Sequence, residues 1–184
     1  MRIGCVYSIE NYCSIEKPLR SPMEIPFGIS IIATVLKVAG HDVDLFVISP
    51  VTPVRKILEE YIRVKKPQLF CLSAVSSQFP PIEEVAALIK EIDPDIFVIL
   101  GGHHASLAPE QAIKCANLDA ICVSEGDVPV VELAQQLEEE KWPSGISNLW
   151  IRHPKSGEIE KNPTAPFNED LDTIPHVDRT LWEP

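Results

Sequence analysis

The stretch Ile96-Phe97-Val98-Ile99-Leu100-Gly101-Gly102-His103-His104 decides how this chain folds. Its first five residues are all apolar, which predicts a strand covered on both faces, as in a parallel sheet. The two glycines that follow are typical of a tight turn from a strand into a helix. The stretch therefore predicts one β-to-α step of a layered α/β domain.

The same step recurs on both sides of this stretch, so that buried strands alternate with helices as far as Glu140. Pro26 and Pro53 each begin a predicted helix, where proline is tolerated, and Gly40 follows the end of the first helix. This alternation predicts an α/β fold with a doubly wound, five-stranded parallel sheet. The predicted strands are Arg2 to Tyr7, Asp42 to Ile48, Gln68 to Ala74, Ile96 to Leu100 and Ala120 to Val123, and the predicted helices are Pro26 to Ala39, Pro53 to Val64, Pro81 to Ile92, Pro109 to Ala116 and Val128 to Glu140.

The pattern changes after Trp142. Residues 148–152 and 158–161 flank the loop His153-Pro154-Lys155-Ser156-Gly157, which predicts a small β-hairpin. From Asn162 onward the chain is rich in Pro and Asp without periodicity, as in a linker or an arm that lies across another surface. We therefore expect a domain at 1–141, a hairpin at 142–162 and an extended tail at 163–184.

Composition excludes several classes of protein. A net charge of −11, from 27 acidic and 16 basic residues, disfavours nucleic acid as a partner. No stretch has the roughly 18–20 apolar residues of a membrane span, and the N-terminus lacks the features of a signal peptide. We therefore expect a cytoplasmic protein. The five cysteines form no CxxC pattern, so we expect no disulfide framework and no metal site built from protein ligands.

Ligands of open parallel sheets bind outside the carboxyl ends of the strands. The loops predicted at that edge are Ser8 to Tyr12, Ser73 to Phe79, Gly101 to Ser106 and Ser124 to Asp127. Three of these four loops are rich in glycines, which allow close approach of a ligand, or in serines, which form hydrogen bonds with little bulk. Small residues on neighbouring strand ends predict a slot for an elongated ligand rather than for a lone metal ion.

Common nucleotide-binding motifs are missing. No GxGxxG follows the first strand, and no GxxxxGK[ST] occurs, which excludes a dinucleotide fingerprint and a P-loop. A response-regulator receiver domain needs acidic residues after strand one and at the end of strand three, where Val6-Tyr7-Ser8 and Leu72-Ser73-Ala74 stand instead. A flavodoxin-like nucleotide-binding enzyme with an unfamiliar site stays open.

Six segments, in order along the chain, carry a family resemblance. They are Pro26 to Leu36, Ala39 to Val43, Ser73 to Ser77, Ile99 to Ser106 with Pro109-Glu110, Ser124 to Asp127 with Val130 to Leu133, and Asp170 to Pro175. Together they resemble the N-terminal cobalamin (B12)-binding domain of B12-dependent radical SAM proteins, including its "hhGGxHxT" and "GEGE" segments and its "LDxLPxP" linker. The resemblance spans nearly the whole chain and implies a Rossmann-like, flavodoxin-like B12-binding fold.

The resemblance implies a cobalamin held base-off, with its nucleotide tail inserted along the sheet edge. Ser73, Val75, Ser76 and Ser77 would contact the tail from one loop, and Gly101, Gly102, His103 and His104 would line the slot from the next. Ser124, Glu125 and Gly126 would close the far side, and the loop containing Ser8 and Tyr12 would lie under the corrin ring.

Two departures from related proteins shape the expected function. No His lies between strand one and the first helix, so a histidine lower ligand to cobalt is not expected. No CxxxCxxC occurs in the sequence, so the 4Fe-4S cluster and S-adenosylmethionine would belong to a separate radical SAM domain, in cis or in trans. The resemblance therefore implies a cofactor-positioning domain for methyl transfer or related radical chemistry, not catalytic alone. The alternative is a stand-alone corrinoid carrier or sensor.

Overall fold

Strands and helices alternate along the chain as predicted. The structure, a computed structural model, describes residues 1–9 and 26–182. The strands are β1 (Arg2–Ser8), β2 (Asp42–Ile48), β3 (Leu69–Ser73), β4 (Phe97–Gly101), β5 (Ala120–Cys122), β6 (Leu149–Arg152) and β7 (Ile159–Lys161). The helices are α1 (Phe27–Val38), α2 (Val54–Lys65), α3 (Phe79–Ile92), α4 (His103–Leu107), α5 (Pro109–Ala112) and α6 (Asp127–Glu138).

The strands form one sheet in the order β2-β1-β3-β4-β5-β6-β7. β1 to β5 are parallel, which confirms the predicted fold class. The predicted hairpin is also present as β6 and β7, but it extends the sheet rather than standing apart from it. Leu149 of β6 pairs with Cys122 of β5 in antiparallel register, so the described residues form a seven-stranded sheet in which the hairpin adds two strands to the five predicted.

Side chains of each central strand alternate between two apolar layers, as the strand period requires. We call the side covered by α1 and α6 the front face, and its strand residues include Cys71, Ile99 and Cys122. The side covered by α2 and α3 is the back face, where Leu72 and Leu100 are buried. Both faces of the parallel strands are thus covered, as their continuous apolar runs predict.

The chain between β4 and β5 differs from the prediction. A loop was expected at 101–106 and one helix at 109–116, whereas two short helices occupy the region. The first, α4, ends at Leu107, where the backbone N–H of Ala108 still bonds the carbonyl of His104 at 2.9 Å. Pro109 then begins α5, because proline has no N–H to continue a helix but suits a first turn.

The last described part of the tail, from Asp178 to Trp182, lies on α1. The indole N–H of Trp182 donates to the Ser30 hydroxyl at 2.9 Å, and the backbone N–H of Asp178 donates to the Thr34 hydroxyl at 3.0 Å. Lys37 forms an ion pair with the Asp178 carboxylate. The tail is therefore an arm held along α1 on the front face. None of the helices in the described ranges combines the length and apolar character required to cross a membrane.

Candidate functional site

A cleft of about 310 Å³ opens on the front face at the carboxyl edge of β3, β4 and β5. It lies between the first turns of α1 and α6, and Ile174 of the tail contributes to its wall. This is the position at which open α/β sheets bind ligands. The volume is at the lower end of the range for ligand pockets, which suits one arm of a large ligand.

The shape of the cleft follows from a glycine between two larger neighbours. Gly101 pairs in register with Ser73 of β3, and a Cβ at Gly101 would lie 3.9 Å from the Cβ of Cys122. Because Gly101 has no side chain, a notch separates Ser73 from Cys122. Two residues earlier along their strands, Cys71 and Ile99 point to the same face and form the floor, roughly 6.6 Å deeper.

Gly102 serves a different purpose from its neighbour. Its φ is +88°, and a Cβ there would lie 2.8 Å from the carbonyl oxygen of Ala74. The backbone N–H of His104 donates to that same carbonyl at 3.0 Å, so the loops after β3 and β4 are held in close contact. A side chain at Gly102 would push these loops apart.

The far wall of the cleft is the turn from β5 into α6. Ser124 adopts φ +82°, in the left-handed region, and its backbone N–H donates to the Ser106 hydroxyl at 3.0 Å. A Cβ at Gly126 would lie 3.1 Å from Cδ1 of Ile32, so this glycine lets α6 approach α1 closely. The Ser106 bond and the close helix contact together fix the width of the cleft.

Asn148 supports this wall from behind, a role that the sequence did not reveal. It is buried, with φ +67°, and its side-chain amide donates to the carbonyl of Glu125 at 2.7 Å. Its side-chain oxygen accepts from the backbone N–H of Ala165 at 2.6 Å. Asn148 thus joins the cleft wall to the start of the tail. Asparagine tolerates the left-handed region, so its residue type is the one indication in the sequence of this backbone conformation. Nothing in the sequence around Asn148 identifies its hydrogen-bond partners.

The two thiols in the cleft are neutral. Burial raises the pKa of Cys122 to about 12, with a smaller effect from the carboxylates of Glu125 and Asp127. A hydrogen bond with Cys5 and burial raise the pKa of Cys71 well above its ordinary value. Both groups therefore act as small apolar surfaces. The polar side chains of Glu125, Asp127 and His103 lie instead at the mouth and border the opening.

The structure brings together seven of the thirteen residues proposed from the sequence. The residues that line the cleft are Ser73, Gly101, Gly102, His103, Ser124, Glu125 and Gly126. Tyr12 lies outside the described residues. The other five, which are Ser8, Val75, Ser76, Ser77 and His104, lie elsewhere, and each departure has a structural reason.

His104 and Ser76 contact each other on the back face rather than the cleft. The His104 Nδ1 lies 3.2 Å from the Ser76 hydroxyl, and its ring stacks on Phe79 at a centroid distance of 4.1 Å. Burial lowers the pKa of His104. The turn at Ser76–Gln78 carries the chain from β3 to α3, which covers the back face, so Val75 and Ser77 also leave the cleft.

Ser8 belongs to a different part of the sheet edge. It is buried beside Ile48, Ser49 and the first turns of α3. Its carbonyl accepts a hydrogen bond from the side-chain amide of Gln78 at 2.6 Å, and the same amide bonds the Tyr7 hydroxyl at 3.2 Å. Gln78, which the sequence predicts only as part of a loop, therefore connects the end of β1 to the turn after β3 through hydrogen bonds.

Comparison with known proteins identifies the family of this domain. The family model described as "B12 binding domain" matches residues 22–134, more than half of the chain. An uncharacterized methyltransferase of Pyrococcus horikoshii is 26% identical over 155 residues, covering 82% of this chain and 32% of the relative. The anaerobic magnesium-protoporphyrin IX monomethyl ester cyclase of Rubrivivax gelatinosus is 26% identical over 157 residues, covering 81% and 28%. The chain thus spans about a third or less of the length of these relatives.

Solved structures share the fold. The radical S-adenosylmethionine methyltransferase TsrM from Kitasatospora setae, solved with cobalamin and a [4Fe-4S] cluster bound, has a TM-score of 0.74 and 17% identity, covering 92% of this chain and 30% of that protein. The cobalamin-dependent S-adenosylmethionine radical enzyme OxsB, with aqua-cobalamin bound, has a TM-score of 0.68 and 21% identity, covering 90% and 22%. Together with the family model, these matches confirm the resemblance found in the sequence. The chain belongs to the B12-binding domain family.

Proposed function

We propose that the front-face cleft takes the nucleotide arm of a base-off corrinoid and so presents cobalt to a radical SAM catalytic domain. The observation that carries the proposal is the notch at Gly101, which is open at the sheet edge and apolar at its floor. A flat aromatic base fits such a space, whereas a whole corrin ring does not fit in about 310 Å³. The ring would lie over the mouth.

The mouth of the cleft combines exposed apolar side chains with hydrogen-bonding ones, as a corrin ring requires. Phe27 and Val128, in the first turns of α1 and α6, are 73% and 59% exposed and adjoin the cleft lining. They offer apolar contact to the ring, whose periphery carries carboxamide arms. Glu125 and His103 lie nearby and supply hydrogen-bonding groups for those arms. Ser73 and Ser124 are positioned for the sugar and phosphate of the nucleotide arm.

Cobalt would carry no histidine from the described part of this chain as its lower ligand. His104 faces the back layer, and His41 lies beside the N-terminal amine of Met1, at the amino end of the sheet. Of the described histidines only His103 borders the cleft, and it does so at the mouth. When bound, the corrinoid supplies alkyl-transfer or radical chemistry, while the chain supplies binding and orientation.

The catalytic domain is proposed to be joined in cis. TsrM and OxsB are radical S-adenosylmethionine enzymes several times longer than the matched part, as their coverage of 30% and 22% shows. The 4Fe-4S cluster and S-adenosylmethionine would bind in that domain. In the division of the chain at 1–141, 142–162 and 163–184, the tail would lead toward it from the front face.

Retention of hydroxocobalamin tests the proposal. The protein is incubated with hydroxocobalamin and passed through a desalting column, and its visible spectrum is recorded. We expect co-elution of corrin absorption with the wild type and with Ser76→Ala, because Ser76 lies off the cleft. Gly101→Leu should lose most of the absorption, because its side chain fills the notch. A wild type that elutes without corrin absorption would refute the proposal.

Reduction of the bound cofactor tests its ligation state. The electron paramagnetic resonance spectrum of the cob(II)alamin complex should lack the superhyperfine splitting that an axial nitrogen produces. A split spectrum would show that a nitrogen ligand is coordinated: retention of the lower base would contradict the base-off proposal, and a histidine ligand would contradict the proposal that cobalt carries no histidine.

A further inference from the structure

We propose that the cleft selects corrinoids by their lower base, and that it favours a benzimidazole or another apolar aromatic base over a purine. This inference rests on the proposed function and names the class of corrinoid that the site accepts. It follows from how polar and apolar groups are distributed with depth in the cleft, one side-chain period apart on neighbouring strands.

The deep part of the cleft is apolar on every side that the structure describes. Its floor is made by Cys71 and Ile99, and its walls by Cys122, Val130 and Leu149, all of which are buried. The two thiols stay protonated because their pKa values lie well above neutrality. Cys122 Sγ points toward the carbonyls of Glu125 and Ser124, at 3.6 and 3.9 Å, so its weak donor is directed into the turn.

The hydroxyl groups of the cleft lie higher, at the ends of the strands. Ser73 is the last residue of β3, and Ser124 lies in the turn after β5. The third hydroxyl, on Ser106, already accepts the backbone N–H of Ser124 at 3.0 Å. A base that reaches the floor therefore passes these groups and leaves them beside the sugar and phosphate.

This arrangement discriminates between bases that have similar shapes. A purine such as adenine carries an exocyclic amine and ring nitrogens that would lose their hydrogen bonds to water without gaining partners at the floor. Dimethylbenzimidazole replaces the amine with methyl groups, whose burial against Ile99 and Val130 is favourable. We therefore expect at least a tenfold difference in affinity.

Dissociation constants for three corrinoids measure this preference directly. The probes are cobalamin, with dimethylbenzimidazole; its adenine-containing analogue; and cobinamide, which has no base. Intrinsic fluorescence quenching of the wild-type protein reports binding without any catalytic assay. We expect cobalamin to bind at least tenfold more tightly than either of the others. Equal or tighter binding of the adenine analogue would overturn the inference while leaving corrinoid binding intact. Failure of all three to bind would refute the proposed function instead.

Substitution of one thiol sharpens the test. Cys122→Ser places a hydroxyl in the wall at nearly constant volume, so the preference for cobalamin over the adenine analogue should shrink by at least threefold. Cys115→Ser is the matched control, since Cys115 is a buried thiol on the back face, and it should keep the wild-type ratio. An unchanged ratio in Cys122→Ser would contradict the assignment of Cys122 to the wall that the base contacts. If either variant fails to fold, the wild-type ratio alone decides.

Discussion

The front and back faces of the sheet meet the same carboxyl edge, but the front face is open there and the back face is closed. On β4, Leu100 points to the back face and is completely buried, whereas the next residue, Gly101, points to the front and leaves a notch. The back face is closed there by Phe79, His104 and Gln78. One strand therefore provides core on one side and a binding cleft on the other. The alternation of side chains, rather than the loop composition, decides which polar residues can meet a ligand.

The sharpest way to test this contrast is to replace the neighbours on β4. Leu100→Ala should lower the free energy of unfolding by about 2–5 kcal/mol, because it leaves a cavity in the back-face core. Gly101→Ala should change it by less than about 0.5 kcal/mol, since its Cβ meets nothing closer than 3.9 Å. Urea denaturation measures both values. Similar losses of unfolding free energy in the two variants would show that neighbouring side chains fill the notch.

The second contrast lies between the two adjacent glycines. Gly102→Ala should destabilise the fold by about 1–3 kcal/mol, because its positive φ is strained for alanine and its Cβ would clash with the Ala74 carbonyl. Gly101→Ala is the control, and thermal unfolding of both variants side by side is the measurement. Wild-type stability in Gly102→Ala would mean that the loops after β3 and β4 are not in close contact.

Asn148 supports the far wall of the cleft, which is the turn from β5 into α6. Asn148→Ala should lower the free energy of unfolding by about 1–3 kcal/mol, because the carbonyl of Glu125 and the N–H of Ala165 each lose a hydrogen-bond partner. Hydrogen exchange should accelerate at both Glu125–Asp127 and the start of the tail. Asn162→Ala is the control, since Asn162 bonds the Leu149 carbonyl instead, and exchange at Glu125–Asp127 should stay slow there. Unchanged hydrogen exchange at Glu125–Asp127 in Asn148→Ala would show that Asn148 does not support the wall of the cleft.

The smallest effect is a pH dependence from the back face. Because burial lowers the pKa of His104 in the folded protein, the unfolded chain binds the proton more readily. Stability is therefore retained above the unfolded pKa of about 6.5 and lost as the pH falls below it, by at most about 1.4 kcal/mol per pH unit. His104→Phe keeps the stack on Phe79 and should flatten this part of the pH profile. His41, whose pKa is also lowered by burial, contributes equally to both proteins.

Much of the fold could be predicted because it depends on local patterns. Apolar runs such as 96–100 and the prolines and glycines at helix ends identify the strands, the larger helices and the sheet edge that carries the site. The union of the hairpin with the sheet could not be predicted, because the pairing of Cys122 with Leu149 is a long-range contact. The short helix α4 was missed because its five residues are too few to show a helical period.

The sequence predicts which loops form the site, but not which face of the sheet each side chain of those loops meets. Ser73 and Ser76 are three residues apart in one serine-rich segment, and only the first lies in the cleft. The turn at Ser76–Gln78 sends the chain to the back face, and the stack of His104 on Phe79 fixes that direction. Sequence gives the residue types in a loop, whereas the direction of each side chain depends on tertiary packing. Asn148 was missed for the same reason.

Hydrogen exchange with and without hydroxocobalamin tests most directly whether the ligand binds at the front face. We predict slower exchange of backbone amides at 101–103 and 124–127, which surround the cleft, and no change at the turn Ser76–Gln78 on the back face. Protection at Ser76–Gln78 without protection at 101–103 would place the ligand on the opposite side of the sheet and contradict the account.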